Sequence, residues 1–130
     1  MPALVEALDN KDDRVTADVA WALGEIAMAS PEGRKAVTGS ALPALIRAGK
    51  KGGWATAINV SAALARIADP STLEDLARMI HDNSKMVRLN AVIGLGALAA
   101  GGATITSVDR AGLIGLLETD QSPLVRAAAG

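Results

Sequence analysis

The feature that most constrains this chain is a helical pattern in the stretch VTADVAWALGEIA, from Val15 to Ala27, which recurs twice further along the sequence. At 3.6 residues per turn, one face of this helix carries larger apolar side chains and is predicted to face the core: Val15, Val19, Ala22, Leu23 and Ile26. A second face carries only small residues, which let another helix approach closely: Thr16, Ala17, Ala20, Gly24 and Ala27.

The third face of the same helix is mixed, with Arg14, Asp18, Trp21 and Glu25. A helix with three such faces must pack against neighbours on two sides and meet solvent on the third. This is the pattern of a repeated unit within a stack of helices rather than of an isolated amphipathic helix.

Two later segments repeat the helix and define the fold prediction. Leu64 lies 41 residues after Leu23, and Leu95 lies 31 residues after Leu64. The alignment predicts a core face in each copy, made of Thr56, Val60, Ala63, Leu64 and Ile67 in the second and of Val87, Ala91, Gly94, Leu95 and Leu98 in the third. Val125-Arg126 repeats Val87-Arg88 at a spacing of 38 residues. Such spacings are typical of helical repeats, and no stretch alternates like a strand.

We therefore predict an all-α fold, a right-handed α-solenoid (superhelix) that forms one domain over residues 1–130. It is expected to contain three to four repeats, at approximately 2–30, 31–69, 70–102 and 107–130. Asp13 is the predicted N-cap of the first central helix, and Ser71 to Glu74 form a predicted capping box. The predicted helices are 2–10, 14–29, 32–37, 42–51, 54–68, 73–81, 85–100 and 107–119.

Composition and charge exclude several classes of function. The chain has no Cys and one His, so disulfides, thiolate chemistry and His-rich or Cys-rich metal sites are not expected. A net charge of −1 gives no general attraction to nucleic acid or to anionic lipid. The first residues lack the pattern of a signal peptide, and charges interrupt every apolar run before the ~18 residues of a membrane span. We expect a soluble, cytoplasmic protein without a cofactor.

The charges are unevenly distributed along the chain. Residues 1–30 carry a charge of −4, whereas residues 31–52 carry +4. These charges could be solvated helix ends, or they could support a head-to-tail contact between two copies. The chain begins on a second-type helix and stops within LVRAAAG, without an obvious polar capping repeat. Self-association through a terminal repeat is therefore a second expectation.

Two segments carry a family resemblance that covers nearly the whole chain. AWALGEIA followed by SPEGRKAVTGSALPALIRAG resembles an armadillo repeat, and DNSKMVRLNAVIGLGALAA with DQSPLVRAAA resembles the related HEAT-like repeats. The resemblance implies a concave surface that holds extended peptides with a Trp and, one turn later, an Asn. Trp21 matches the Trp, but Glu25 stands at the Asn position. The pair becomes Ala62 with Arg66 and then Ile93 with Ala97, so most of this peptide-binding pattern is missing.

A polar column, one turn before these positions, runs through Asp18, Asn59 and Asn90. It could serve only solubility, or it could form a hydrogen-bonding row for a partner. Trp21 could likewise anchor a partner or pack over Ala62 and Asn59 of the next copy. The candidate partner-binding residues of the concave face are Asp18, Trp21, Glu25, Asn59, Arg66 and Asn90.

No arrangement of residues suggests catalysis. His81 lies beside Asp82 at a helix end, and Glu74 and Asp75 point to different sides of their helix. We therefore predict no enzyme, no catalytic, cofactor-binding or metal-binding residues, and no nucleic-acid partner. The predicted function is a protein–protein interaction or scaffold module that binds a protein or an extended peptide segment. The alternative, implied by resemblance to HEAT-like bilin lyases, is a regulatory or assembly factor of the lyase-associated HEAT type that acts on a cofactor-bearing protein.

Overall fold

The computed structural model describes residues 1–101, in which seven α-helices and one short 3-10 helix follow one another without a strand. The predicted helix at 107–119 and the fourth repeat lie outside the described residues. The bounds of the helices at 42–51 and 85–100 are as predicted. The seven α-helices are α1 (Pro2–Ala7), α2 (Asp13–Ala29), α3 (Pro31–Ser40), α4 (Leu42–Lys51), α5 (Trp54–Ile67), α6 (Leu73–Met79) and α7 (Lys85–Ala100), and the 3-10 helix is Pro70–Thr72.

The helices form the layers of an α-solenoid, which confirms the predicted fold class. The three central helices α2, α5 and α7 pack side by side in chain order. α3 packs on α2, α4 packs on α5, and α6 packs against both α5 and α7. Leu23, Leu64 and Leu95 occupy the same position in the three central helices and are all fully buried. The core therefore runs through the stack as one continuous apolar cluster.

The predicted core face is confirmed in the second and third copies, where all ten residues are buried. In the first copy it is only partly confirmed. Leu23 is buried, but Val15 is 39% exposed, and Val19, Ala22 and Ile26 are half-buried. In α5 the corresponding face is covered by two helices, α2 and α4. In α2 the only described element that comes before it is α1, which has six residues. The prediction was wrong for Val15 because burial depends on the neighbour as well as on periodicity.

The small-residue face of α2 is its most buried side, as its close approach to α5 requires. All five of its residues are buried. A Cβ on Gly24 would lie 3.2 Å from the Cα of Ala63, so the two helix backbones come very close there. The same arrangement recurs one repeat later, where a Cβ on Gly94 would lie 3.2 Å from the Cα of Ala65. Small residues thus set the spacing of the stack.

Several helix ends differ from the prediction because other hydrogen-bond partners compete for the capping side chains. The N-cap of α2 is Asp12, whose carboxylate accepts the N–H of Arg14 at 2.9 Å. The predicted capping box from Ser71 to Glu74 does not form, because the Ser71 hydroxyl donates to the Asp69 carboxylate and α6 begins after Thr72, whose side chain makes no capping hydrogen bond. Asp69 itself caps the 3-10 helix by accepting the N–H of Ser71 at 3.0 Å. The expected break at Thr38 to Ser40 is helical, and only Ala41 separates α3 from α4.

α5 is held at both ends by side chains of earlier helices, Asp13 of α2 and Arg34 of α3. Its N-cap is Gly53, which has no side chain to offer. Instead the Asp13 carboxylate accepts the N–H of Gly53 at 2.7 Å and the hydroxyl of Thr56 at 2.6 Å. At the other end the Arg34 guanidinium donates to the carbonyls of Arg66, at 3.2 Å, and of Ile67. An anion at the N-terminus and a cation at the C-terminus both complement the helix dipole.

Replacing Asp13 with alanine is expected to lower the free energy of unfolding by about 1–2 kcal/mol at pH 7. The hydrogen bond from Thr56 holds the pKa of the Asp13 carboxyl below its ordinary value, with the N–H of Gly53 acting in the same direction. The stabilisation is therefore complete above the ordinary Asp pKa of about 3.9 and is lost as the pH falls through the lowered pKa of the folded state.

Urea unfolding of the parent protein and of Asp13→Ala between pH 7 and pH 3 measures this difference. Asp9→Ala is the matched control, because its contact with Lys51 is exposed and 3.8 Å long and should contribute less than about 0.5 kcal/mol. The difference in the free energy of unfolding between the parent protein and Asp13→Ala should shrink as the pH falls. A difference that grows instead would contradict the capping role of the Asp13 carboxylate.

Candidate functional site

The mixed faces of α2, α5 and α7 together form one groove on the surface of the stack. Its volume is about 330 Å³. Trp21 lies at the α2 side, and Met86 and Ile93 lie at the α7 side. These three side chains are large, apolar and exposed, at 44%, 39% and 51% respectively. The residues that line the groove are Trp21, Ile58, Asn59, Ala62, Ala65, Arg66, Met86, Asn90 and Ile93.

Trp21, Arg66 and Glu25 form a stacked and ion-paired group at one wall of the groove. The guanidinium carbon of Arg66 lies 3.7 Å from the centroid of the Trp21 ring, which is the geometry of a cation–π contact. Nη1 of Arg66 is 3.2 Å from Oε1 of Glu25. The two atoms attract as an ion pair, but they are not aligned as a hydrogen bond. Buried Nη1 therefore has no hydrogen-bond partner among the described residues. Trp21 thus contacts the next repeat and still faces solvent.

Asn59 and Asn90 make equivalent contacts one repeat apart. Nδ2 of Asn59 donates to the carbonyl of Ala17 at 2.9 Å. Nδ2 of Asn90 donates to the carbonyl of Ile58 at 3.2 Å and to the hydroxyl of Ser61 at 3.0 Å. The amide donors of the polar column therefore bind each central helix to the one before it. Within residues 1–101, neither Oδ1 atom accepts a hydrogen bond from a protein group.

The structure brings five of the six sequence-predicted site residues to this groove. Trp21, Asn59, Arg66 and Asn90 line it, and Glu25 contacts it through Arg66. Asp18 is exposed on the same face of α2 but does not line the groove.

The sequence-based candidates did not include Ile58, Met86 and Ile93, which are large apolar residues of the lining. Ile93 could have been found from the repeat alignment, because it occupies the position of Trp21 in the third copy. No comparable signal marks Ile58 or Met86.

The residues that were considered for chemistry do not converge. His81 is exposed at the end of α6, and Asp75 pairs with Arg78 at 3.2 Å on the same helix. Within residues 1–101, no group of three or more His, Cys, Asp or Glu side chains could hold a metal ion. Over the same residues, no helix combines the length and the apolar character needed to cross a membrane.

The family of the chain follows from its sequence once the fold is known. The family model for HEAT repeats matches residues 40–130, which is more than half of the chain. This chain is a HEAT-repeat protein. Its first residues, 1–28, match the model for the Armadillo/beta-catenin-like repeat, so the start of the chain differs in repeat type from the remainder. The HEAT match already begins at residue 40, within the segment that resembles an armadillo repeat in the sequence. A comparison with curated proteins gave no significant match.

Three solved structures that are similar to this HEAT-repeat protein are designed or engineered proteins. A designed armadillo repeat protein has a TM-score of 0.75 and 23% identity, with 98% of this chain and 60% of that chain covered. A second one, in complex with the peptide (KR)4, has a TM-score of 0.72, 21% identity and coverages of 98% and 60%. An engineered protein has a TM-score of 0.77, 19% identity and coverages of 98% and 58%. This HEAT-repeat protein thus spans about 60% of their length, and the likeness concerns the fold.

Proposed function

We propose that this chain is a protein-interaction module that binds a short segment of a partner protein in the groove between α2, α5 and α7. The observation that carries the proposal is the convergence of three exposed apolar side chains, Trp21, Met86 and Ile93, on one groove. Large apolar side chains on rigid helices lose little conformational entropy on binding and often supply most of the energy of an interface. The armadillo relative that was solved with a peptide is consistent with this use of the fold.

The polar atoms of the groove suit a peptide backbone. The Oδ1 atoms of Asn59 and Asn90 are acceptors held in place by the bonds that their amide nitrogens make to the preceding helix. An extended segment offers unpaired N–H groups that such acceptors bind. Trp21 would flank one of its side chains, while Met86 and Ile93 contact others. The binding energy is expected to come mainly from the apolar contacts, with the two amides fixing the direction of the segment.

Trp21→Ala is expected to abolish or greatly weaken this binding. A library of random peptides displayed on phage is selected on the purified protein, and the affinities of the enriched peptides are then measured. Losing an aromatic anchor costs about 2 kcal/mol or more, so the dissociation constant should rise at least about 30-fold. Trp54→Ala is the matched control, because Trp54 is exposed at the start of α5 and does not line the groove.

Melting temperatures of both variants check that the fold is retained. Asn59→Ala and Asn90→Ala are poor binding probes, because their amides hold the central helices together and their loss would also lower stability. The proposal fails if no peptide is enriched, or if the enriched peptides bind Trp21→Ala as tightly as the parent protein.

A further inference from the structure

We propose that the groove selects segments in which an acidic side chain lies beside large apolar ones, and that Arg66 binds the acidic group. This inference rests on the proposed function, because it specifies the chemistry of the segment that the groove would hold. Three observations carry it: the contact of Arg66 with Trp21, the incomplete pairing of Arg66, and the apolar character of the rest of the lining.

The Trp21 ring already carries a cation that belongs to the chain itself. An exposed indole ring ordinarily attracts the Lys or Arg side chains of a partner through its electron-rich face. Here the Arg66 guanidinium stacks on the ring at 3.7 Å from its centroid. A second cation brought to the same ring would be repelled by the first. The guanidinium of Arg66 therefore occupies the ring face that a cation of the partner would otherwise use.

Arg66 is the one charged residue among those that line the groove in the described part of the chain. Its side chain is 24% exposed, and its Nη1 lacks a hydrogen bond within residues 1–101. A guanidinium binds a carboxylate best through two parallel N–H donors, and the contact with Glu25 does not provide this geometry. A carboxylate from a partner would supply the hydrogen bonds that Arg66 is missing.

Glu25 shows that a carboxylate reaches Arg66 from the solvent side. It is 57% exposed at the rim of the groove and is 3.2 Å from Nη1. Its long side chain can rotate away into solvent, since this ion pair is its one polar contact within residues 1–101 and Glu25 itself is largely exposed. A carboxylate on the partner then takes its place on the guanidinium. Glu25 therefore competes with the partner, and removing its charge should favour binding.

The remaining lining determines what surrounds the acidic residue. Ile58, Ala62, Ala65, Met86 and Ile93 offer no charge, and Ile93 and Met86 are exposed. Burying a charged side chain against them would be costly, whereas burying a Leu or an Ile would be favourable. The segment is thus expected to contain one acidic residue for Arg66 and apolar residues for the surface of α7.

Two displayed peptide libraries of the same length test the proposal. Both contain Leu, Ile, Ser and Gly, and they differ only in their charged residue, which is Glu in one and Lys in the other. Enrichment on the purified chain is expected from the Glu library. For an enriched peptide, changing its Glu to Gln should weaken binding about tenfold, and changing it to Lys should weaken binding further.

Two variants of the chain identify the responsible groups. Arg66→Ala uncovers the Trp21 ring, so the Glu peptide should bind about tenfold more weakly and the Lys library should now be enriched. Glu25→Gln should strengthen binding of the Glu peptide a few-fold without change in fold. Arg47→Ala is the matched control, because Arg47 is exposed on α4 and does not line the groove.

The outcomes separate this inference from the proposed function. Enrichment of Lys or uncharged peptides that lose binding in Trp21→Ala would overturn the acidic preference and leave the groove as a binding site. Binding of the Glu peptide that is unchanged in Arg66→Ala would overturn the role of Arg66 alone. If neither library yields a peptide that is sensitive to Trp21→Ala, both proposals fail.

Discussion

Replacing Leu64 with alanine is expected to lower the free energy of unfolding by about 2–5 kcal/mol. Leu64 is fully buried in the last turn of α5, and α5 packs between α2 and α7. The truncation removes apolar contacts and leaves a cavity that helices on both sides cannot easily fill. Urea unfolding followed by far-ultraviolet circular dichroism measures the loss.

Leu23→Ala and Leu95→Ala are expected to fall in the same range, because the repeat alignment places both at the position of Leu64 and both are buried. Ile93→Ala is the matched control on α7. Its side chain is 51% exposed, so its truncation should cost less than about 1 kcal/mol. Small and equal losses for all three leucines would mean that the alignment of the repeats is incorrect.

Gly33→Ala is expected to destabilise the protein by about 3 kcal/mol, although alanine favours helices more than glycine does. A Cβ at Gly33 would lie 2.2 Å from the carbonyl oxygen of Ile26, in the last turns of α2. That atom belongs to the backbone, so the clash is relieved only by moving α3 away from α2. The resulting displacement also disturbs the N-cap of α3, in which Gly33 donates to the Ser30 hydroxyl at 2.9 Å.

Gly39→Ala in the same helix is the control, because a Cβ there would meet nothing within 4 Å. This variant should be as stable as the parent or more stable by about 0.5–1 kcal/mol, through helix propensity alone. Thermal unfolding of the two variants under the same conditions gives the comparison. A Gly33→Ala protein as stable as Gly39→Ala would show that α3 does not pack against α2 in this way.

The fold was largely predictable because helical periodicity is a local property of the sequence. Alignment of Leu23, Leu64 and Leu95 identified the core position of each central helix, and Gly24 identified a close approach between helices. Val15 was assigned to the core incorrectly, because its position in the pattern says nothing about the length of the element beside it. The neighbour is the six-residue α1, which leaves Val15 partly exposed.

The helix ends were less predictable because each capping side chain has several partners within reach. Asp13 has the residue type and the position of an N-cap, but its carboxylate caps α5, far along the chain. Asp12 then takes over the capping of α2. No rule based on neighbouring residues distinguishes these two acids. Which of Asp12 and Asp13 caps α2 depends on the position of the turn before α5, because that turn binds the Asp13 carboxylate.

The members of the candidate site could be predicted, but their mutual contacts could not. Trp21, Glu25 and Arg66 were each identified from the repeat positions of the mixed faces. Their stacking depends on the distance between α2 and α5, which the small residues of both helices set. Ile58 and Met86 were missed because an apolar residue on a helix is ordinarily assigned to the core.

The described side-chain hydrogen bonds hold α5 and α7 in different ways, and this affects the geometry of the groove. α5 is joined to α2 near its start by Asp13 and near its middle by Asn59, and it is joined to α3 at its end by Arg34. α7 is capped by its own Ser84 and is hydrogen-bonded to α5 through Asn90 alone among the bonds described between these two helices.

Asp13 and Arg34 therefore help to position the wall of the groove, because Trp21 stands on α2 and Arg66 stands on α5. Met86 and Ile93 stand on α7, at the other side of the groove. A substitution at Asp13 or Arg34 would thus act on the groove from a distance, by shifting α5 and the guanidinium that it carries.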